Sequence, residues 1–122
     1  MALYDPTAPG LAPARAYLVS AQQFADVASQ EMHREPGTDL DLSEVLASGT
    51  ARLGPGRYET LVSPGELDGL PLLTFTAPWR IAEADLNPPS AAYLQHLGAG
   101  LAETHDWPPD RIEAYLSTRA GA

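Results

Sequence analysis

The sequence contains no cysteine and no lysine, and it has no long hydrophobic run. Without cysteine the chain cannot form a disulfide framework, a thiolate nucleophile or a thiolate metal site. A bilayer-spanning helix needs roughly 20 consecutive apolar residues, and no stretch of the sequence approaches that length.

Positive charge is scarce. The seven basic residues are all arginine and face 16 acidic residues, which gives a net charge of −9 and a pI near 4.5. A nucleic-acid-binding protein needs a basic stripe that releases counterions from phosphate, and the sequence has none. Anionic membrane surfaces would repel the same charge. We therefore expect a cytoplasmic protein with no nucleic-acid or membrane partner; a homo-oligomer remains open.

The chain length fits one domain, since 122 residues can bury roughly two-thirds of their unfolded surface in a single core. Residues 1–4 have the composition of a strand end, and an Asp5–Pro6 turn follows at once. The sequence therefore predicts one domain over residues 1–122 that is incomplete at its N-terminal side.

Short elements separated by proline and glycine predict an α+β fold. Ser20 and Gln23 have the spacing of a capping box, which marks the start of the first helix. The predicted strands are residues 15–19, 57–63 and 70–76, with a hairpin loop at 64–69. The predicted helices are residues 20–34, 41–47, 88–105 (capped by Asn87) and 108–116 (capped by Asp106).

The first helix carries a glutamate in line with apolar residues. Phe24, Val27, Ala28 and Glu31 stand at i, i+3, i+4 and i+7, so they share one helical face. Burial of that face would favour the protonated form of Glu31 and suit the carboxyl to take and return protons. The alternative is that Glu31 only marks where the helix emerges into water.

Residues 16–19 followed by Phe24 to Glu31 resemble the γ-glutamylcyclotransferase-like family, most closely an actinobacterial group within it. In that family a strand feeds a short helix that ends in a Leu-Asp-x-x-Glu-Gly type motif. The resemblance implies that Glu31 is the catalytic acid/base and that residues 56–62 and 70–76 are strands of the domain. The implied fold is a small mixed β-barrel with flanking helices.

The resemblance also implies a reaction. The α-amine of a γ-glutamyl amine attacks its own γ-carbonyl, which gives 5-oxoproline and releases the amine. Glu31 would take a proton from the attacking ammonium and return it to the leaving amine. The implied substrate is a small γ-glutamyl molecule, and no metal or cofactor is required.

The chain departs from the family in two places. Val27 and Ala28 stand where the family has Leu-Asp, and Met32 replaces its glycine. The family's Tyr-Gly-Ser-Asn type loop, whose amides hold the substrate carboxylate, is absent from the 122 residues. The alternative is therefore a non-catalytic module on the same fold that binds a small molecule or a partner protein.

Tyr58 is the second candidate site residue. A strand tyrosine that faces a barrel interior would orient substrate, and the alternative is that it packs in the core. Proteins of the actinobacterial group that the chain resembles are sometimes labelled histone deacetylases, and a zinc deacetylase needs a cluster of aspartate and histidine ligands. The three histidines of this chain are scattered over positions 33, 96 and 105, which argues against such a site. The acids of residues 39–44 lack the glycine and terminal glutamate of a calcium loop, so helix capping is the favoured interpretation.

Overall fold

The computed structural model describes residues 3–37 and 39–119. Within these residues the chain divides into two compact units. The first unit contains residues 3–9, 16–37 and 39–82, and the second contains residues 10–15 and 83–119. None of the helices in the described part is long and apolar enough to cross a membrane.

The first unit combines helices with an antiparallel sheet, which confirms the predicted α+β class. Its elements are α1 (Ala21–Glu31), α2 (Ser43–Ser48), β1 (Thr50–Arg52), β2 (Thr60–Leu67) and β3 (Leu70–Thr76). The strands lie in the order β1-β2-β3. The predicted β-barrel is wrong for the described residues, because their sheet is open; three strands are too few to curl round and pair edge to edge.

Helix α1 begins where the sequence predicts. The Ser20 hydroxyl accepts the Gln23 amide at 3.1 Å, and the Gln23 side chain accepts the Ser20 amide at 2.8 Å. These reciprocal bonds satisfy two groups that a free helix end leaves unpaired. The start of the helix is therefore fixed by local chemistry alone.

One face of the sheet forms the core of this unit. Ala51, Leu61 and Phe75 are direct cross-strand partners, so their side chains share a face. The buried core cluster includes Ala28 of α1 and Val45 of α2 together with Ala51 and Leu61, and Phe75 packs against it. Both helices therefore lie against the Leu61 face of the sheet, and the alternate residues of each strand point to the other face.

The hairpin between β2 and β3 is tighter than predicted. Its turn consists of Asp68 and Gly69, with φ of 52° and 79°, which is the geometry of a two-residue type I′ turn. Residues 64–67 belong to β2, and the register shifts between Val62 and Gly65. The Ser63 hydroxyl donates to the Leu72 carbonyl at 2.8 Å beside this bulge. Pro64 and Gly65 therefore mark a β-bulge within β2 rather than part of the hairpin loop.

The predicted strand at residues 15–19 is wrong. The segment lies outside the sheet, and Tyr17 and Leu18 are 70% and 86% exposed. Residues have a high β-propensity because their side chains pack well on the face of a sheet. The side chains of this segment do not pack on a sheet, so their propensity does not produce a strand. The predicted strand end at residues 1–4 lies partly outside the described residues; Leu3 and Tyr4 are not in a strand. The Asp5 turn is confirmed by an Ala8 amide that donates to the Asp5 carbonyl at 3.2 Å.

The second unit contains α3 (Ala91–His105) and α4 (Pro109–Ser117). Helix α3 starts later than predicted, because the Ser90 hydroxyl, not Asn87, accepts the Tyr93 amide. Asp106, the predicted cap of α4, instead ends α3 with φ of 54°. Trp107 between the helices stacks under the Arg111 guanidinium at 3.9 Å and meets the Tyr115 ring edge-on.

Candidate functional site

Glu31 is the last residue of α1, and its side chain is exposed. The buried positions of the helix region are Ala25, Ala28, Ser29 and Met32, which themselves follow the i, i+3, i+4, i+7 pattern. The buried face is thus turned by about one residue, or roughly 100°, from the predicted stripe. The expectation that Glu31 is buried is therefore wrong, and its carboxylate faces solvent.

The chain turns sharply after Glu31. The His33 amide donates to the Gln30 carbonyl at 3.1 Å, and the Arg34 amide donates to the Ser29 carbonyl at 2.8 Å. His33 itself has φ of 59°. This is the Schellman arrangement that closes a helix C-terminus, with histidine at the left-handed position. Met32, which stands in place of the family's glycine, has φ of −81° and requires no glycine.

Tyr58 lies in the connection between β1 and β2, not on the predicted strand. Its half-buried ring meets Phe75 edge-on, with 5.6 Å between the ring centroids and 83° between the planes. Phe75 in turn lies 6.3 Å from Phe24 of α1. The three rings form an aromatic row from the loop to the helix, so packing accounts for much of the Tyr58 environment.

An ion pair joins the end of α1 to the loop that carries Tyr58. The Arg34 Nη2 atom lies 3.1 Å from the Glu59 Oε2 atom and also donates to the Leu53 carbonyl at 3.5 Å. Arg34 is three residues after Glu31, and Glu59 follows Tyr58 directly. The two candidate site residues are therefore on segments that this pair holds together. Sequence reasoning missed the pair, because nothing local connects residues 25 positions apart.

The carboxylate of Glu59 rests on the loop that precedes it. A methyl group added at Gly54 or at Gly56 would collide with the Glu59 carboxyl atoms. Gly54 and Gly56 have no side chain and thus leave the space that the Glu59 carboxylate occupies when it pairs with Arg34. In the sequence, the two glycines indicate a turn, but they do not indicate that the side chain of Glu59 packs on it.

Metal-ligating side chains are not gathered in the described part of the chain, where no three histidine or carboxylate groups converge. Asp41 accepts hydrogen bonds from the Ser43 hydroxyl and from the Ser43 amide at 2.9 Å. Both hydrogen bonds stabilise the ionised carboxylate and hold the pKa of Asp41 below its ordinary value. The bond from the hydroxyl has the larger effect and the bond from the amide the smaller one. This carboxylate therefore satisfies the first amide of α2, as a capping interpretation predicts.

A cavity of about 190 Å³ lies in the first unit, on the side of the sheet away from α1. Its lining includes Thr60 and Thr76 of the sheet and Trp79 of the segment after β3. Sequence reasoning missed it, because alternating threonines in a strand are typical of a solvent-facing side.

A scan against protein-family models, a search of curated proteins and a search of solved structures each found no match for this chain.

Proposed function

We propose that this chain is a γ-glutamylcyclotransferase-like enzyme domain in which Glu31 transfers the protons of the reaction. The observation that carries the proposal is an accessible carboxylate at the end of a helix that is fixed at both ends. A general acid/base must reach its substrate and keep one position while it does so. The exposed side chain of Glu31 meets the first condition, and the two closed helix ends support the second.

The proposed reaction is balanced within one substrate molecule. The amine nitrogen forms a bond to the γ-carbonyl carbon, and the bond from that carbon to the leaving amine breaks. The attacking ammonium loses one proton before the bond forms, and the new ring nitrogen loses a second one afterwards. Glu31 accepts each proton in turn and passes it to the departing nitrogen, which leaves as an ammonium, so the enzyme ends unchanged. The steps use no metal and no cofactor.

Tyr58 enters the proposal as a substrate-binding residue at the same end of α1. Its ring packs edge-on against Phe75 and is half-buried, so part of the side chain is accessible to solvent. The Arg34–Glu59 pair supports this placement, because it holds the loop of Tyr58 against the end of the helix.

The test is turnover of γ-glutamyl amines. The purified chain is incubated with γ-L-glutamylethylamide and with γ-L-glutamyl-L-alanine, and 5-oxoproline is measured by mass spectrometry. Glu31→Gln removes the proton acceptor and is expected to lower the rate by about 10²-fold or more. Glu35→Gln is the matched control, since Glu35 is an exposed glutamate four residues further along the chain, beyond the end of α1.

Equal rates for the unaltered chain and Glu31→Gln would exclude Glu31 as the acid/base. An equal loss in Glu35→Gln would show that the effect is not specific to the site. If the unaltered chain produces no 5-oxoproline from either substrate, the alternative of a non-catalytic binding module takes the place of the enzyme.

A further inference from the structure

Aromatic rings and guanidinium groups alternate along α4 and its two ends. The row, here called the arginine ladder, has a member at every fourth residue: Trp107, Arg111, Tyr115 and Arg119. The Arg111 guanidinium carbon lies 3.9 Å from the centre of the Trp107 ring. The corresponding carbon of Arg119 lies 4.3 Å from the centre of the Tyr115 ring, and the two rings meet edge-on at 5.4 Å. Each arginine of the ladder is therefore stacked on a ring of its own.

The stacking fixes the two guanidinium groups without using their N–H groups. A guanidinium that lies flat on a ring is attracted through its face, whereas its N–H donors project from its edge. Both rings are half-buried and both arginines are exposed, so these donors lie at the surface. An arginine that is already stacked loses less side-chain freedom on binding a partner than a mobile one does. The ladder thus presents two oriented donor groups to solvent.

Neither arginine of the ladder forms an ion pair with another described residue, although the chain has 16 acidic residues and two other arginines are paired with glutamates. The Arg119 Nη2 atom donates to the Thr118 hydroxyl at 2.9 Å. The acids of α4, Asp110 and Glu113, stand one and two residues from Arg111, and side chains at those spacings do not face each other on a helix. The ladder therefore carries positive charge that its own helix does not neutralise.

The composition of the ladder is typical of a protein-binding surface. Tryptophan, tyrosine and arginine are the residue types most enriched among the few that carry most of the binding energy of an interface. The charge of the ladder indicates the sign of its partner, since a guanidinium pairs best with a carboxylate that accepts two of its N–H groups.

The spacing of the two arginines favours an extended partner. Arg111 and Arg119 are eight residues apart, which corresponds to about 12 Å along a helix. Carboxylates four residues apart in an extended peptide are about 13 Å apart and project from the same side of it. The net charge of −9 repels an acidic partner at long range. At physiological ionic strength, however, exposed charges more than about 8 Å away are largely screened, so the contacts at the ladder decide the affinity.

We propose that the arginine ladder binds an extended acidic segment of a partner protein, in which two carboxylates four residues apart pair with Arg111 and Arg119. All four residues of the ladder belong to the second unit, so this interaction does not depend on the role of Glu31 in the first unit.

The test is a titration of the isotope-labelled chain with the peptide acetyl-Gly-Glu-Gly-Ser-Gly-Glu-Gly-amide, followed by NMR at the Trp107 indole N–H and the arginine Nε–H groups. We expect saturable shifts, and at least tenfold weaker binding of the same peptide with glutamine in place of both glutamates. Arg111→Gln and Arg119→Gln should each weaken binding about tenfold. Arg57→Gln is the matched control, because it removes the same charge from an exposed arginine of the first unit.

Arg119 lies beyond the end of α4, so Arg119→Gln keeps the test decisive should Arg111→Gln unfold the helix. Unchanged affinity in the folded ladder variants, or an equal loss in Arg57→Gln, would overturn the site. An absence of saturable shifts, or equal binding of the glutamine peptide, would overturn the acidic partner. Two further results would also overturn it: tighter binding of an oligothymidylate than of the peptide, and shifts that follow the protein concentration alone, which would place a second copy of the chain on the ladder.

Discussion

Arg34 and Glu59 form an ion pair of 3.1 Å that ties the end of α1 to the β1–β2 loop, and Glu59 reaches this position by lying over Gly54. Gly54→Ala puts a methyl group where the Glu59 carboxylate now lies. That carboxylate is the end of a flexible side chain, so we expect it to swing away and give up Arg34. The loss should equal that of Glu59→Gln, about 0.2–1 kcal/mol for a partly exposed pair in urea denaturation.

The double variant Gly54→Ala/Glu59→Gln distinguishes this explanation from simple crowding. If both changes act through the same pair, the second adds nothing to the first. Gly100→Ala is the control: it lies in α3 with open space around it, and alanine should stabilise that helix by about 0.8–1 kcal/mol. Additive losses in the double variant would contradict the prediction.

Val27 and Ala28 stand where the motif of the γ-glutamylcyclotransferase-like family has Leu and Asp, and introducing each of these two residues should have different consequences. Ala28 is fully buried in the core, so Ala28→Asp places a carboxylate there without a partner. We expect a loss of about 3 kcal/mol or more in the free energy of unfolding. Val27→Leu is the matched change on the 52% exposed neighbour and should stay within about 0.5 kcal/mol. A tolerated Ala28→Asp would mean that the buried face of α1 is not the one described.

His33 occupies a backbone conformation that favours glycine, with φ of 59°. Because a non-glycine residue in the left-handed region is strained, His33→Gly should raise the free energy of unfolding by about 1 kcal/mol. Thermal and urea denaturation both measure this gain. Asn tolerates the same region, so His33→Asn should fall between the two, whereas His33→Val should destabilise. A loss in His33→Gly would show that the imidazole makes a stabilising contact.

Asp41 should make stability depend on acid pH. Its pKa is held below the ordinary value of 3.8, mainly by the Ser43 hydroxyl. A group whose folded pKa is lowered stabilises the fold above its unfolded pKa, and the contribution disappears as the pH falls through the folded pKa. Ser43→Ala should therefore lower the thermal midpoint at pH 7 and have a progressively smaller effect below pH 3.8. A difference that is constant from pH 7 to pH 2 would rule out this linkage.

Local signals predicted the fold where chemistry within a few residues decides it. The Ser20–Gln23 capping box begins α1, and the predicted strand at residues 70–76 is β3 to the residue. The predicted start of α3 is a few residues too early for a similar reason. Asn87 and Ser90 are both favourable N-cap residues, and only the structure shows that Ser90 accepts the helix amide.

The features that the sequence could not predict depend on distant parts of the chain. The buried face of α1 is chosen by what Ala28 meets in the sheet, not by the helix alone. The Arg34–Glu59 pair and the Thr60–Thr76 pairing likewise join residues that only the fold brings together. Glu31 was singled out by its helical spacing and by the family motif, whereas its exposure is decided by tertiary packing.

The apolar side chains of residues 17–19 are exposed to solvent, and the whole chain carries a net charge of −9. These two features bear on solubility. At neutral pH, mutual repulsion between acidic copies opposes association through the apolar segment. Near the pI of 4.5 the repulsion vanishes but the segment remains exposed. A pH near the pI should therefore promote aggregation of this protein, which light scattering between pH 7 and pH 4 would measure.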